Sequence, residues 1–280
     1  MIEPRGEKNP RILCAGGAVQ DIIMRVEKFP DAGTKVQASE FMITSGGQAG
    51  NAAVAVARLG GQVSFAGPLG AKDDELSSRI LESLMREKID CSGAIRVPGA
   101  ISSVSLILVD AAGEKTIATR RDQGLSAIAP ENPERAVAEV DAVLLDNRYP
   151  NFVTPICKAA EARSIPRVLD LDNAASLDDP LLLACSHVIS SAEALRILSN
   201  TPVDLVLSDQ LMPGGTGTDL ARQVKARHPN LPFVIISGVN ELPPDSAQAD
   251  LFLSKVEGPV AMCDKISGVL ERFRDQNESA

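Results

Sequence analysis

Gly46-Gly47-Gln48-Ala49-Gly50-Asn51-Ala52-Ala53-Val54-Ala55-Val56-Ala57-Arg58-Leu59-Gly60 is the stretch that decides the fold of this chain. Its second half is rich in Ala and Val and closes on Gly60-Gly61, which predicts a helix over residues 50–59. The glycines at its start let the backbone come close to a ligand. Asn51 both donates and accepts hydrogen bonds. Upstream, residues 11–16 (RILCAG) are a short apolar run that stops at Gly16-Gly17 and reads as a buried strand. Asp21 follows that turn. In open α/β sheets ligands bind beyond the carboxyl ends of strands, so Asp21 falls where a ligand would lie. Polyols need such mixed partners, because a carboxylate accepts from two hydroxyls and each charge-assisted bond contributes about 1.5–3 kcal/mol. Taken singly, Gly46-Gly47 also fits the plain start of a helix, and Asp21 also fits a turn or cap residue.

Outward from this stretch, residues 22–26 and 36–44 read as short extended segments, and residues 63–67 as a strand. Leu76, Ile80, Leu81 and Leu84 have helical spacing within residues 75–87. Residues 94–97, 103–109 and 115–120 are extended, the last two joined as a hairpin by Asp110-Ala111-Ala112-Gly113. From there strands and helices alternate. Strands are predicted at 142–146, 167–170, 187–190, 203–208, 233–237 and 251–254, and helices at 153–163, 192–198, 219–227 and 259–273. Repeated β-α units imply a mainly parallel sheet covered by helices. The early β-rich segments break that rhythm and suggest a small attached sheet, or lid.

The 280 residues carry 28 Lys and Arg against 37 Asp and Glu, a net charge of −9. Such a chain repels phosphate backbones, and with no Trp and one Tyr it has few stacking platforms, so no nucleic-acid partner is expected. Five scattered cysteines without a CxxC pair read as reduced thiols. With two histidines a His-based metal site is not expected. No apolar run approaches the roughly 20 residues of a membrane span, and the N-terminus is polar, so the expectation is a cytoplasmic protein without a membrane partner.

Gly16-Gly17, Asp21, the turn at residues 30–33 and GGQAGNAAVAVARLG together resemble the N-terminal signature of the PfkB/ribokinase carbohydrate kinases. Gly67-Pro68-Leu69-Gly70 with Asp73-Asp74 resembles a further segment of that family. The resemblance covers about residues 10–198. It implies a ribokinase-like α/β fold, a parallel sheet flanked by helices with a small β-lid. It also implies phosphoryl transfer from ATP, with Mg²⁺, to a hydroxyl of a sugar or nucleoside. Carried over by position, Asp21, Gly46, Gly47 and Asn51 would hold substrate hydroxyls. Arg120 lies on a lid-like strand and either faces the substrate or is solvated. Glu193 matches the acid that helps organise Mg²⁺ and phosphate, with Ser190 in the place of the family's Asn; it also fits a plain acidic helix start. A homodimer through the lid is compatible with this family.

The family's closing Gly-Ala-Gly-Asp turn, whose Asp acts as the base and whose helix start forms an anion hole, does not occur in the sequence. Gly214-Gly215-Thr216-Gly217-Thr218-Asp219 imitates it loosely, which makes Asp219 a secondary candidate base. Residues 204–214 (DLVLSDQLMPG), 233–238 (FVIISG) and 251–255 (LFLSK) instead resemble the later strands of response-regulator receiver domains, over about residues 202–275. By that resemblance Asp209 is the phosphoacceptor, Ser237 contacts the phosphoryl group and Lys255 neutralises it, with Val256 in the place of the usual Pro. A histidine kinase is the partner if this segment works. The acidic pair that holds a receiver's Mg²⁺ should precede residue 200, where the sequence follows the kinase pattern. Without it, Asp209 and Lys255 also read as relics on strand ends. The expected division is a PfkB-like sugar-binding region at 1–199 and a truncated receiver-like segment at 200–280. Two functions follow: a sugar or nucleoside kinase with an altered ATP side, or a non-catalytic sugar-binding or phosphorelay protein.

Overall fold

The computed structural model describes residues 9–171, 178–190, 205–212, 215–238, 248–254, 257 and 259–278. The chain packs as two compact units, Met1–Pro166 and Arg167–Ala280. That division falls earlier than the motif order suggests.

In the first unit β1 (Arg11–Ala15) leads into β2 (Val19–Arg25) and β3 (Glu40–Gly46), followed by α1 (Gln48–Arg58), β4 (Gln62–Leu69) and α2 (Glu75–Arg86). Then come β5 (Asp90–Arg96), β6 (Val104–Val109), β7 (Lys115–Arg120), the short helices α3 (Gln123–Ser126) and α4 (Pro133–Ala136), β8 (Ala142–Asp146) and α5 (Pro150–Ala162). Strands β8, β1, β4 and β5 pair in that order, all parallel. One face of this sheet is sealed by α1 and α2 through Cys14, Phe65, Leu69, Ile80 and Leu84, each wholly buried. Truncating a buried Phe such as Phe65 to Ala costs about 3–5 kcal/mol.

The alternating segments that break the β-α rhythm form a second sheet, β3-β2-β6-β7, the expected lid. Its β2 and β6 run parallel and its two outer pairs antiparallel. β5 begins four residues before its expected start. A register shift between Ser64 and Ala66 lets Gly93 lie where a Cβ would be 2.9 Å from the Cβ of Ala66. That bulge has no hydrophobic signature, so the pattern hides it.

The second unit opens with β9 (Arg167–Leu171), α6 (Pro180–Ala184) and β10 (His187–Ser190). β9 and β10 form a parallel pair. After them come β11 (Val206–Asp209), the hairpin β12 (Leu211–Met212) and β13 (Gly215–Thr216), α7 (Gly217–Arg227), β14 (Phe233–Ser237), β15 (Leu251–Ser254) and α8 (Pro259–Glu278). β11, β14 and β15 make a parallel sheet in that order. Val206, Ala221, Val224, Phe233 and Ile235 form its core. Lys225 stitches this core from the side: Nζ lies 2.6 Å from Asp250 Oδ2, donates to the Leu231 carbonyl at 2.8 Å, and sits 5.0 Å from the Phe273 ring. The helix expected at 192–198 lies outside the described residues.

Candidate functional site

Asp21 stands on β2, opposite Thr44 of β3 and Ser105 of β6. Its carboxylate lies directly over the end of β3, where a Cβ on Gly46 would be 2.0 Å from Asp21 Oδ2. Only a residue without a side chain leaves that carboxylate in place. The next residue, Gly47, takes φ +87° as it starts α1. A Cβ there would meet the Gly17 carbonyl at 2.5 Å, so the position needs glycine for both conformation and space. Asn51 follows one turn into α1, exposed, its N–H donating to the Gly47 carbonyl at 2.8 Å. Asp21, Gly46, Gly47 and Asn51 thus share the corner where the lid strand β3 turns into α1. Burial pushes the Asp21 carboxyl above its usual range, and a hydrogen bond with Ser105 pulls it back in part. Hydroxyl donors brought by a ligand would offset the desolvation of the ionised group.

The corner has a foundation that the motifs do not name. Asp146, at the carboxyl end of β8, is 1% exposed. Its Oδ2 accepts from Gly17 N at 2.7 Å and from Ala49 N at 3.1 Å, and its Oδ1 accepts from Arg148 N at 2.9 Å. Burial pushes this carboxyl up, against the pull of those three N–H groups and of the Arg148 charge. Gly16 and Gly17 are both shaped around it: a Cβ on Gly16 would lie 2.3 Å from Asp146 Cγ. The available signal was its position, an acid closing a buried parallel strand.

Arg120 ends β7 exposed, its Nη2 donating to Asp122 Oδ2 at 3.3 Å. The other expected residues belong to the second unit or fall outside the described set. Asp209 ends β11 half-buried, its Oδ1 accepting from Gln210 N at 2.9 Å. Ser237 ends β14 buried. Both lie at the carboxyl edge of the three-stranded sheet, one register step apart. Glu193 and Lys255 lie outside the described residues. Asp219 starts α7 with its carboxylate taken by Thr216 Oγ1 at 2.6 Å and Arg222 Nη1 at 3.0 Å. The hydrogen bonds from Thr216 and then Arg222 hold it below the usual carboxylate range, which makes it a weak base.

Among the described residues of the Gly-rich turn ahead of α7, Gly217 and Asp219 direct their N–H groups to the protein itself. Gly217 N donates to the Gln210 carbonyl at 2.9 Å, Asp219 N donates to Thr216 Oγ1 at 3.1 Å, and a Cβ on Gly217 would lie 2.5 Å from the Asp209 carbonyl. Two of the N–H groups at this helix start, those of Gly217 and Asp219, thus already have protein partners. Among the described residues no three His, Cys, Asp or Glu side chains are grouped to hold a metal ion. No helix among them is long and apolar enough to cross a membrane. Buried Cys14 is chemically quiet, its thiol pushed up to about 12 by desolvation.

A lidded parallel sheet whose carboxylate and paired glycines meet at a helix start defines the architecture of the ribokinase-like sugar kinases. The chain belongs to the pfkB family of carbohydrate kinases, whose model matches residues 9–210. A response regulator receiver domain model matches residues 174–267, so β10 and position 193 fall within both matches. Among curated proteins it is 29% identical to the ribokinase of Bacillus subtilis over 164 residues, 57% of this chain and 55% of that one. It is 30% identical to an ATP-dependent ribose-1-phosphate kinase of Halopiger xanaduensis over 158 residues, 55% and 52% of the two chains. The chain thus spans about half the length of these relatives. It is also 40% identical over 60 residues to the transcriptional regulator NtrC of Escherichia coli, 21% of this chain and 13% of that one. A crystal structure from Agrobacterium tumefaciens assigned to the ribokinases superposes with a TM-score of 0.66 at 31% identity, over 81% of this chain and 70% of that one. The ribokinase of Arabidopsis thaliana, solved with ribose and ATP, shares the fold at TM-score 0.60 and 19% identity, over 82% and 73% of the chains.

Proposed function

We propose that this chain is a kinase-like protein that binds a sugar or nucleoside at Asp21, Gly46, Gly47 and Asn51. The observation that carries the reading is the half-buried carboxylate of Asp21 set over Gly46 at the start of α1. A diol bridging Asp21 and Asn51 would replace lost water with charge-assisted bonds. ATP, with Mg²⁺, is the phosphoryl donor that the family suggests. The Asp219 carboxylate is engaged by Thr216 and Arg222 and held below the usual range, so no catalytic step is assigned to it. A homodimer through the lid belongs to the same reading: Met42, Ile23, Ile107 and Ile117 lie in register across it, and Met42 and Ile117 are each 56% exposed.

Thermal-shift titration with D-ribose, D-fructose, adenosine and ATP–Mg²⁺ tests this. Stabilisation by a sugar or nucleoside that is lost in Asp21→Ala supports the site. Stabilisation by ATP–Mg²⁺ as well supports turnover, whereas a sugar shift with none from ATP favours a non-catalytic binding protein. The phosphorelay reading is supported by the placement of Asp209 and Ser237 at one sheet edge, and acetyl-phosphate labelling of Asp209 tests it.

A further inference from the structure

The chain passes between the lid and the rest of the first unit four times: at residues 16–18, 46–48, 97–103 and 121–122. Three of these crossings are gripped from one place, the end of β8 and the short turn that follows it to Tyr149. Asp146 holds the first through Gly17 N and the second through Ala49 N. Tyr149 holds the third, its hydroxyl sharing a hydrogen bond of 3.3 Å with that of Ser103. The grip then passes into the lid itself. The Ser103 carbonyl accepts from Gln20 N at 3.0 Å, and Gln20 Nε2 donates to the Thr44 carbonyl at 2.6 Å. One polar chain therefore runs from Tyr149 through the bases of β6, β2 and β3. Its side chains are buried: Gln20 is 3% exposed, Ser103 1%, Asp146 1% and Tyr149 2%. The fourth crossing is tied to the third by Asp122, which accepts from Ile101 N at 3.2 Å while capping α3 at Gly124 N.

Buried polar groups contribute little net stability compared with apolar groups of the same shape, yet a satisfied network permits one arrangement and penalises others. A belt of this kind placed where two sheets join fixes the angle between them. We infer that Asp146 and Tyr149 are positioning residues for the lid, setting how far Asp21 and Gly46 stand from Asn51. The consequence for ligand affinity rests on the sugar-site reading above; the consequence for the lid does not. Neither side chain needs to touch a ligand.

The test uses the intact chain and the mild variants Tyr149→Phe and Ser103→Ala, which remove one hydroxyl each. Hydrogen exchange of the unliganded protein is followed strand by strand. The expected result is exchange about fivefold or more faster in β2 and β6 with β1 and β4 unchanged, and a double variant no faster than either single one. No change, or an equal rise across both sheets, would overturn the assignment. The chain contains one Tyr and no Trp, so its intrinsic emission reports on Tyr149 alone. Emission changed by D-ribose or D-fructose, with affinity weakened at least about fivefold in Ser103→Ala, supports the link from belt to site. If neither sugar binds the unmodified protein, the sugar-site reading fails and the exchange data alone decide the role of the belt.

Discussion

Asp146 Oδ2 accepts a hydrogen bond from Gly17 N at 2.7 Å across 129 residues of sequence. The same oxygen takes Ala49 N, so one buried atom joins the turn after the first strand to the first turn of α1. Replacement by Ala would leave three backbone N–H groups without their acceptor, those of Gly17 and Ala49 in a buried site. The expected cost is about 1–3 kcal/mol for each donor that water cannot reach. Urea unfolding of Asp146→Ala measures it, and Asp146→Asn, which keeps one acceptor oxygen, is expected to lose less.

Gly46 and Gly47 are expected to fail differently. An Ala at 46 meets the tip of the Asp21 side chain, which can swing aside, so Gly46→Ala keeps its fold and loses ligand affinity. An Ala at 47 meets the fixed Gly17 carbonyl at 2.5 Å and sits at φ +87°, so Gly47→Ala loses stability, on the order of 1–3 kcal/mol. Thermal melts paired with calorimetric titration separate the two outcomes.

Asp74 gives a pH signature. It caps α2 at Leu76 N and Ser77 N, and accepts from Ser102 N at 2.9 Å. Burial raises its carboxyl, but the bonds from Ser102, Ser77 and Leu76 win and the net direction is down. A depressed folded pKa contributes stability above the ordinary Asp value of 3.8 that is lost as pH falls through the folded value. Asp74→Ala is expected to cost about 0.5–2 kcal/mol at pH 7, and the gap to the unmodified protein should close on acidification. A gap independent of pH would show that the carboxylate does not act as described.

Tyr149 titrates the other way. Burial is the main cause of its raised pKa, with the Ser103 bond opposing it. Since folding disfavours the phenolate, stability is expected to fall as pH rises above the ordinary tyrosine value of 10. Alkaline absorbance of this single tyrosine should appear only above that value, and at still higher pH in Ser103→Ala.

Part of the candidate corner was legible because Gly46, Gly47 and Asn51 lie within one short stretch of sequence. The helix start at Gly46-Gly47 and the lid hairpin around residues 110–113 are written in glycines and alternation. Asp146 shows in the sequence only as an acid at a strand end; its partners lie 129 and 97 residues away and nothing in its own segment announces them. The run of glycines before α7 suggests an open anion site, whereas the Gly217 N–H goes to the Gln210 carbonyl. Whether a glycine faces a ligand or its own chain depends on packing that composition does not encode.

Isothermal titration of the unmodified protein and Asp21→Ala with D-ribose, D-fructose and adenosine tests the sugar corner most directly. Saturable binding of at least one of them, abolished in Asp21→Ala while the melting curve is retained, is the expected result. Binding of equal strength to both proteins, or no binding of any of the three, would contradict a sugar or nucleoside site at Asp21.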